Sequence, residues 1–204
     1  MQGYILKIQK IKDEDLIVEI LTSKKLVKSY RFYGARHSKI TLGYKLDFEL
    51  ILSNFIPRLT NTMHLGFKWL FDREKLFLWQ QFIRLFHNHL KGLEDVDEIY
   101  YRILDDCAKK LDKQSPKRLF IEAYTQILYF EGRLSDRFIC FACDEFIEDE
   151  EITLIRGFLL AHQSCLKRAK FKKNKIKELL ETKQTINLND DEIDQIYQIL
   201  LDGF

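Results

Sequence analysis

The hydrophobic period of this chain changes near residue 67, and that change constrains the fold more than any other feature of the sequence. Before it, short segments alternate apolar and polar residues with the period of two that half-buried β-strands require. The predicted strands cover residues 3–11, 16–21, 26–33, 44–52 and 58–65. Five short strands in under 70 residues, separated by turn residues, predict a small closed or nearly closed barrel.

After residue 67 the apolar residues recur with the period of about 3.6 that α-helices require. One predicted helical stripe consists of Leu76, Trp79, Ile83, Phe86 and Leu90, and a second consists of Val96, Tyr100, Ile103, Cys107 and Leu111. Ser115 followed by Pro116 predicts the start of a third helix, and Asn189 with Glu192 predicts a capping box at the start of a fourth. The sequence therefore predicts an α+β protein.

The two predicted domains, residues 1–67 and 68–204, have the composition of a globular protein, because 46% of all residues are hydrophobic and 31% are charged. No apolar run reaches the roughly 20 residues that cross a bilayer. The first residues also lack the basic start and the apolar stretch of a signal peptide. We therefore expect a cytoplasmic protein with no membrane partner.

Two pairs of metal-ligating residues lie in the second domain, at Cys140 and Cys143 and at His162 and Cys165. A two-residue spacer lets both side chains of a pair turn towards one point, and two such pairs can converge on one tetrahedral ion. The reducing cytoplasm disfavours disulfides, so the cysteines indicate a metal site, and the predicted ion is zinc. Cys107 lies in a helical stripe and is assigned to the core.

Four protein ligands leave no coordination position for water, which makes the predicted zinc ion structural rather than catalytic. Such an ion contributes on the order of 10 kcal/mol, enough to decide whether the insertion at residues 140–165 folds. Two alternatives stay open. In one, the cysteines are buried thiols beside an ordinary His162. In the other, the ion is the centre of a zinc-dependent nuclease in which Asp144 or Glu145 acts as general base.

The net charge of +2 hides two basic runs in which no acidic residue occurs. The first run spans residues 24–45 and contains the aromatic residues Tyr30, Phe32, Tyr33 and Tyr44 among its lysines and arginines. Cations that neutralise phosphates, beside rings on which bases stack, are typical of barrels that bind single-stranded nucleic acid. The alternative is that Tyr30 and Phe32 fill the barrel while the lysines contact only water.

The second basic run spans residues 167–177 and is predicted to form a helix that starts at the metal site. The alternative for this run is a solvated helix face with no ligand. Together the two runs give the predicted nucleic-acid contacts Arg31, Tyr33, Arg36, His37, Lys39, Lys167, Arg168 and Lys170. Stacking and phosphate contacts serve both polymers, so an RNA-binding protein with the same barrel stays an alternative.

The sequence resembles the bacterial recombination mediator RecO family in its opening hairpin, in one turn and in its two zinc pairs. The matching segments are Gly-Tyr-Ile-Leu-Lys at 3–7, Asp-Leu-Ile-Val at 15–18 and Gly-Ala-Arg at 34–36. The resemblance implies an N-terminal OB-fold β-barrel followed by an α-helical domain with a zinc knuckle. His162 stands where the family usually has cysteine, and the chain is shorter than most members.

The function that the resemblance implies is DNA handling without catalysis. RecO-like proteins bind single- and double-stranded DNA, anneal complementary strands and, with RecR, help load the recombinase RecA onto coated single strands. They also bind the acidic tail of the single-stranded-DNA-binding protein. The matching turn makes Arg36 and His37 DNA contacts by resemblance, whereas Arg31, Tyr33 and Lys39 are predicted from charge and position. The expected protein is a DNA repair and recombination mediator, not an enzyme, with zinc as its cofactor.

Overall fold

The structure, a computed structural model, describes residues 1–34, 40–93, 95–134 and 137–204. The chain divides into two units, Met1–Asp112 and Lys113–Phe204. The change of hydrophobic period at residue 67 follows the last barrel strand directly, and the first unit also includes the two helices after it.

The first unit begins with a closed barrel of five strands. They are β1 (Gln2–Lys10), β2 (Leu16–Thr22), β3 (Leu26–Arg31), β4 (Lys45–Ile51) and β5 (Arg58–Leu65). The strand order around the barrel is β1-β2-β3-β5-β4, and β4 pairs with β1 to close it. Strands β3 and β5 pair in parallel, whereas the other neighbouring strands are antiparallel. A closed five-stranded barrel of this order is an OB-fold, which confirms the predicted fold class.

The barrel closes around alternating apolar residues of its strands. The buried set consists of Ile5, Leu16, Val18, Ile20, Leu46, Phe48 and Leu59. Each fully buried aliphatic or aromatic side chain of this kind contributes about 1.5–3 kcal/mol relative to an exposed one. β1 lies close to β2 at Gly3, because an added Cβ would lie 2.6 Å from the carbonyl oxygen of Leu21. The core thus accounts for the period of two that the sequence shows before residue 67.

Two helices complete the first unit, α1 (Arg73–Leu90) and α2 (Glu98–Lys110). Both predicted stripes are confirmed, because residues such as Trp79, Phe86 and Ile103 are buried. The indole N–H of Trp79 donates a hydrogen bond of 2.8 Å to the carbonyl oxygen of Gly43, just before β4. Gly43 has a φ of +81°, and an added Cβ would lie 2.6 Å from the Trp79 indole nitrogen. Glycine is therefore needed where α1 meets the barrel.

A carboxylate of α2 joins that helix to the barrel through an ionic network. Asp105 accepts hydrogen bonds from the Tyr4 hydroxyl at 2.8 Å and from Lys45 Nζ at 2.6 Å, and Lys109 Nζ lies 2.6 Å from its other oxygen. Burial raises the pKa of Asp105, but hydrogen bonds from Lys109, Lys45 and Tyr4 outweigh it and hold the pKa below its usual value. The half-buried carboxylate therefore stays ionised between its cationic partners.

In its described part, the second unit contains three α-helices and a small antiparallel sheet. Its elements are α3 (Pro116–Phe130), β6 (Glu151–Ile155), β7 (Leu159–His162), β8 (Lys170–Lys172), α4 (Lys173–Thr182) and α5 (Asp190–Leu201). The strand order is β7-β6-β8. The predicted capping box is confirmed, since Asn189 accepts from the backbone of Glu192 and Glu192 accepts from the backbone of Asn189.

The second basic run is not the continuous helix that the sequence predicts. Residues 167–169 form a loop, Lys170–Lys172 form β8, and the helix begins at Lys173. The reason lies in Phe171, which is buried opposite Ile152 while Lys170 and Lys172 are exposed. This alternation is the period of a strand, but three residues are too few to show it in the sequence. Within the described ranges, the helices lack the length and apolar character to cross a bilayer.

Candidate metal centre and nucleic-acid interface

The four predicted metal ligands come together in the second unit. The thiol sulfurs of Cys140, Cys143 and Cys165 and a ring nitrogen of His162 all lie within 4.8 Å of one another. Nδ1 of His162 lies 3.4 Å from the sulfur of Cys143 and 3.8 Å from that of Cys165. Sulfur and nitrogen ligands on one tetrahedral ion are about 3.6 Å apart for ordinary bond lengths. The donor set and its spacing therefore fit one metal ion.

The first ligand pair lies in a tight turn. The backbone N–H of Asp144 donates to the carbonyl oxygen of Cys140 at 2.9 Å, and the N–H of Cys140 donates to Glu145 at 2.8 Å. Asp144 takes a left-handed backbone with a φ of 61°, which Asp tolerates better than most residues. The turn brings Cys143 back beside Cys140, as the two-residue spacer predicts.

The second pair follows directly from the β6–β7 hairpin. His162 is the last residue of β7, and its carbonyl oxygen accepts from the N–H of Cys165 at 3.1 Å. Nε2 of His162 lies 3.2 Å from the carbonyl oxygen of Phe146. A proton on Nε2 makes this a hydrogen bond and leaves Nδ1 unprotonated, facing the thiols. Phe146 thus orients the imidazole as a ligand.

Backbone donors favour the thiolate of Cys140. Burial raises the pKa of its thiol, but backbone N–H groups of His162, Ala142 and Cys143 outweigh that effect and lower the pKa to about 6. The N–H of His162 lies 3.4 Å from the sulfur. The thiolate is the form that binds a metal ion, so the fold prepares this ligand. Cys107 is buried in α2 of the first unit, in agreement with its assignment to the core.

The other candidate site lies where β3 ends. Phe32 and Tyr33 follow the strand with 45% and 54% of their surfaces exposed, so Phe32 does not fill the barrel. Gly34 is buried next to them, and an added Cβ would lie 2.7 Å from Cδ1 of Leu16. Close approach of the turn to the barrel core therefore requires glycine in the Gly-Ala-Arg segment.

Asp15 fixes the shape of this turn. Its carboxylate accepts a short hydrogen bond from the Tyr30 hydroxyl and a second, of 2.7 Å, from the backbone N–H of Tyr33. These two hydrogen bonds lower the pKa of the Asp15 carboxyl below its usual value. Tyr33 has a φ of 51°, an uncommon left-handed conformation for a tyrosine. Asp15 therefore positions Tyr30 and Tyr33, which precede and follow Phe32 in the sequence.

A shallow cleft of about 330 Å³ opens beside this turn, lined by Arg31, Phe32, Tyr33 and Arg58. The guanidinium carbon of Arg58 lies 4.7 Å from the centre of the Phe32 ring, close enough for a cation–π interaction. Arg31 donates from Nη1 to the carbonyl oxygen of Leu59 at 2.9 Å. Two of the predicted contacts, Arg31 and Tyr33, thus meet at one cleft.

Three further predicted contacts, Arg36, His37 and Lys39, lie outside the described residues. Arg58 is the cleft residue that the sequence does not indicate. It comes into the cleft because Tyr30 of β3 pairs in parallel with Arg58, the first residue of β5. The sequence feature that could have indicated Arg58 is its position directly after Pro57, at the start of a predicted strand.

The predicted contacts of the second basic run have a different environment. Lys167 is exposed, whereas Nη1 of Arg168 lies 3.7 Å from Asp202, and Nζ of Lys170 lies 3.1 Å from Glu151. Further along the run, Lys172, Lys173 and Lys177 line a cleft of about 540 Å³ together with the acidic residues Glu148, Asp149, Glu150 and Glu151. Acidic neighbours therefore offset much of the positive charge of this run.

A comparison with known families bears on the barrel. Residues 1–70 match the family model described as RecO N terminal. The match covers about a third of the chain. No curated protein matches the chain. The match contains the whole barrel and the turn after β3, and it supports a role in DNA repair and recombination. The metal centre lies beyond the matched residues.

Proposed function

We propose that this protein is a RecO-type mediator of DNA repair and recombination that binds single- and double-stranded DNA through its barrel. The observation that carries the proposal is the RecO N-terminal match over a barrel whose β3 end gathers Arg31, Tyr33 and Arg58 in one cleft. Arg36, His37 and Lys39 continue the basic run in the sequence and are proposed as further DNA contacts. Lys167, Arg168 and Lys170 are proposed as weaker contacts.

Annealing of complementary strands follows from charge in this proposal. Two phosphate backbones repel each other, and a basic surface that neutralises phosphates on both lowers that repulsion and releases counterions. Such contacts position a strand without reading its sequence, as annealing of any complementary pair requires. We further propose, from the match to the RecO N-terminal model, that the protein helps load a recombinase onto coated single strands, together with RecR and the acidic tail of the single-stranded-DNA-binding protein. We also propose that the protein acts in the cytoplasm.

The metal centre is proposed to hold zinc and to be structural. Three thiolates and one imidazole are soft and borderline ligands that suit Zn²⁺ in tetrahedral geometry. With Cys140, Cys143, His162 and Cys165 all bound, no position is left for a catalytic water. When bound, the ion cross-links the turn after α3 to the β6–β7 hairpin. His162 retains its hydrogen bond to Phe146, and Cys140 contributes a thiolate that the backbone already stabilises.

The same closed ligand set argues for a protein without nuclease activity. A zinc hydrolase needs an open coordination position and a nearby general base. Asp144 and Glu145 are exposed beside the ligands, but four protein ligands leave no position for the water that they would activate. Incubating zinc-loaded protein with labelled DNA tests this. Cleavage that disappears in the Cys143→Ser variant would overturn the structural assignment.

An annealing assay tests the main proposal. Complementary strands coated with the cognate single-stranded-DNA-binding protein are mixed with this protein, and duplex formation is followed by fluorescence. We expect faster annealing with the intact coating protein than with one that lacks its acidic tail. No acceleration on either naked or coated strands would contradict the mediator role. Competition between single-stranded DNA and RNA of equal length separates this proposal from an RNA-binding function.

A further inference from the structure

The end of β3 carries a feature that phosphate neutralisation does not need, a large aromatic ring held at the surface. Phe32 is 45% exposed although the neighbouring barrel residues Leu16 and Leu59 are buried. We propose that Phe32 and Arg58 form a stacking site for one unpaired base of single-stranded DNA. The proposal rests on the DNA-binding function above and adds a preference for single strands at this position.

The ring of Phe32 is held in place by its neighbours. Its centre lies 4.7 Å from the centre of the Tyr30 ring at an interplanar angle of 62°, an edge-to-face contact. Tyr30 is itself held by its hydroxyl, which donates to Asp15. A stacking surface that is already ordered loses little conformational entropy when a base binds, which favours affinity.

Arg58 turns this ring into a cationic surface. The guanidinium lies over the Phe32 ring at 4.7 Å, and its place is set by the parallel pairing of Arg58 with Tyr30. Nucleobases stack on the flat guanidinium group of arginine as well as on aromatic rings. The surface therefore offers a flat face for a base and a positive charge for the adjacent phosphate.

The electrostatic surroundings favour a nucleic acid strand. Arg31 lines the same cleft as Arg58, and the exposed ring of Tyr33 completes it. The carboxylate of Asp15 accepts hydrogen bonds from both Tyr30 and Tyr33. These two hydrogen bonds therefore engage the negative charge of Asp15 within the turn.

The preference for single strands follows from the accessibility of base faces. In a duplex, the faces of all internal bases are covered by neighbouring pairs, so a surface ring contacts none of them. In a single strand, bases can leave the stack and lie on a protein ring. Duplex binding requires only the phosphates, which the arginines contact without Phe32.

The test compares three probes of equal length: oligo-dT, a strand in which abasic sites replace most thymidines, and a duplex. We expect Phe32→Ala to weaken binding of oligo-dT roughly tenfold, as loss of one base stack predicts. Binding of the abasic strand and of the duplex should change less than about twofold, because their phosphate contacts remain. Phe77→Ala, which removes a similarly exposed ring from α1, serves as the matched control and should leave all three affinities unchanged.

A second variant separates stacking from charge. Arg58→Lys keeps the positive charge and removes the flat guanidinium group, so it should weaken binding of oligo-dT and spare the duplex. If Arg58→Lys binds all probes like the wild type, Arg58 acts only as a charge and the stacking site is wrong.

The remaining outcomes separate failure of the stacking site from failure of the DNA-binding proposal. A Phe32→Ala protein that binds oligo-dT normally, or that loses affinity for all three probes alike, overturns the inference while leaving the DNA-binding proposal standing. Wild-type protein that binds none of the probes overturns the DNA-binding proposal itself. Should Phe32→Ala lower the melting temperature, Phe32→Leu keeps the apolar bulk without the flat ring and is expected to show the same selective loss.

Discussion

The barrel of the first unit and the ligand turns of the second unit differ in how they are stabilised. The barrel of the first unit closes around fully buried residues such as Ile20 and Leu46, and Asp105 joins α2 to it through Lys45 and Tyr4. In the second unit, the ligand turns carry Cys143 and Cys165 on the surface, where they bury little apolar area. We therefore expect the ligand turns to depend on the proposed metal ion for their stability, whereas the barrel depends on apolar burial.

The basic segments of the two units also differ, in the groups that surround their cations. At the end of β3, Arg58 lies on an aromatic ring and Arg31 donates to a backbone carbonyl. In the second unit, Arg168 and Lys170 lie beside the carboxylates of Asp202 and Glu151. Surface pairs of that kind contribute about 0–1 kcal/mol to stability, but they reduce the positive potential available to a phosphate. We therefore expect the barrel to carry most of the DNA affinity.

Removal of the metal should have the largest effect on stability, and this effect should be confined to the second unit. Replacing one ligand by Cys143→Ser is expected to release the zinc ion, with a loss on the order of 10 kcal/mol of binding free energy. Metal analysis should show no zinc, and limited proteolysis should cut the segment between α3 and α4 while the barrel stays intact.

Cys107→Ala is the matched control, because it removes the cysteine that lies in the first unit and retains all four ligands. It should keep a full equivalent of zinc. A Cys143→Ser protein with wild-type zinc content and an unchanged proteolytic pattern would contradict the proposed centre.

The closeness of the candidate metal ligands within each pair could be predicted from the sequence because it depends on local spacing. A pair separated by two residues is close in space whatever the rest of the fold does, so Cys140 with Cys143 and His162 with Cys165 could be assigned in advance. The hydrogen bond from His162 to Phe146 could not, since it joins residues from two different turns.

The barrel network should show the next largest effect. Asp105→Ala leaves Lys45 and the Tyr4 hydroxyl without their carboxylate partner and is expected to cost about 3–5 kcal/mol, as for other partly buried ion pairs that lose one member. The measurement is the free energy of unfolding of the full chain in urea. Asp106→Ala, at the exposed neighbouring position of α2, should change stability by less than about 0.5 kcal/mol. Equal effects of the two variants would show that the network contributes nothing.

Acid should remove the same contribution. The folded-state pKa of Asp105 lies below its usual value, so the stabilisation is complete above the unfolded-state pKa of about 4 and is lost as the pH falls through the folded-state pKa. Unfolding free energies measured at neutral pH and below pH about 4 should therefore fall more steeply in the wild type than in Asp105→Asn. Parallel curves would mean that another carboxyl is responsible.

Long-range contacts mark the limit of what the sequence reveals about the barrel. The alternating apolar residues of β1 to β5 indicate strands directly, since each follows from its own period. The contacts of Arg58 and Asp105 do not follow from any such period. Arg58 reaches the β3 end through a parallel pairing, and Asp105 reaches Tyr4 across about a hundred residues of chain. Their roles depend on the strand order and on helix docking, which only the folded chain defines.

The smallest expected effect tests the difference in charge between the two units. The double variant Arg36→Ala with Lys39→Ala removes two cations of the barrel segment, and Arg168→Ala with Lys170→Ala removes two that have acidic neighbours. If both barrel residues contact phosphates of a single strand, the slope of log K against log salt concentration should become shallower by about 1.4. The second double variant should change the slope by well under half of that, because its cations are already partly neutralised.

Affinities for a single-stranded oligonucleotide, measured by fluorescence anisotropy at several salt concentrations, give both slopes. The barrel variant should also lose affinity at every salt concentration tested, uniformly across sequences, since phosphate contacts do not read bases. Identical slopes for the wild type and the barrel variant would contradict the expectation that the barrel carries most of the DNA affinity. The DNA site would then lie away from the β3 turn. A steeper loss in the Arg168 and Lys170 variant would instead place the main DNA contact in the second unit, where the carboxylates would then have to give up their partners when DNA binds.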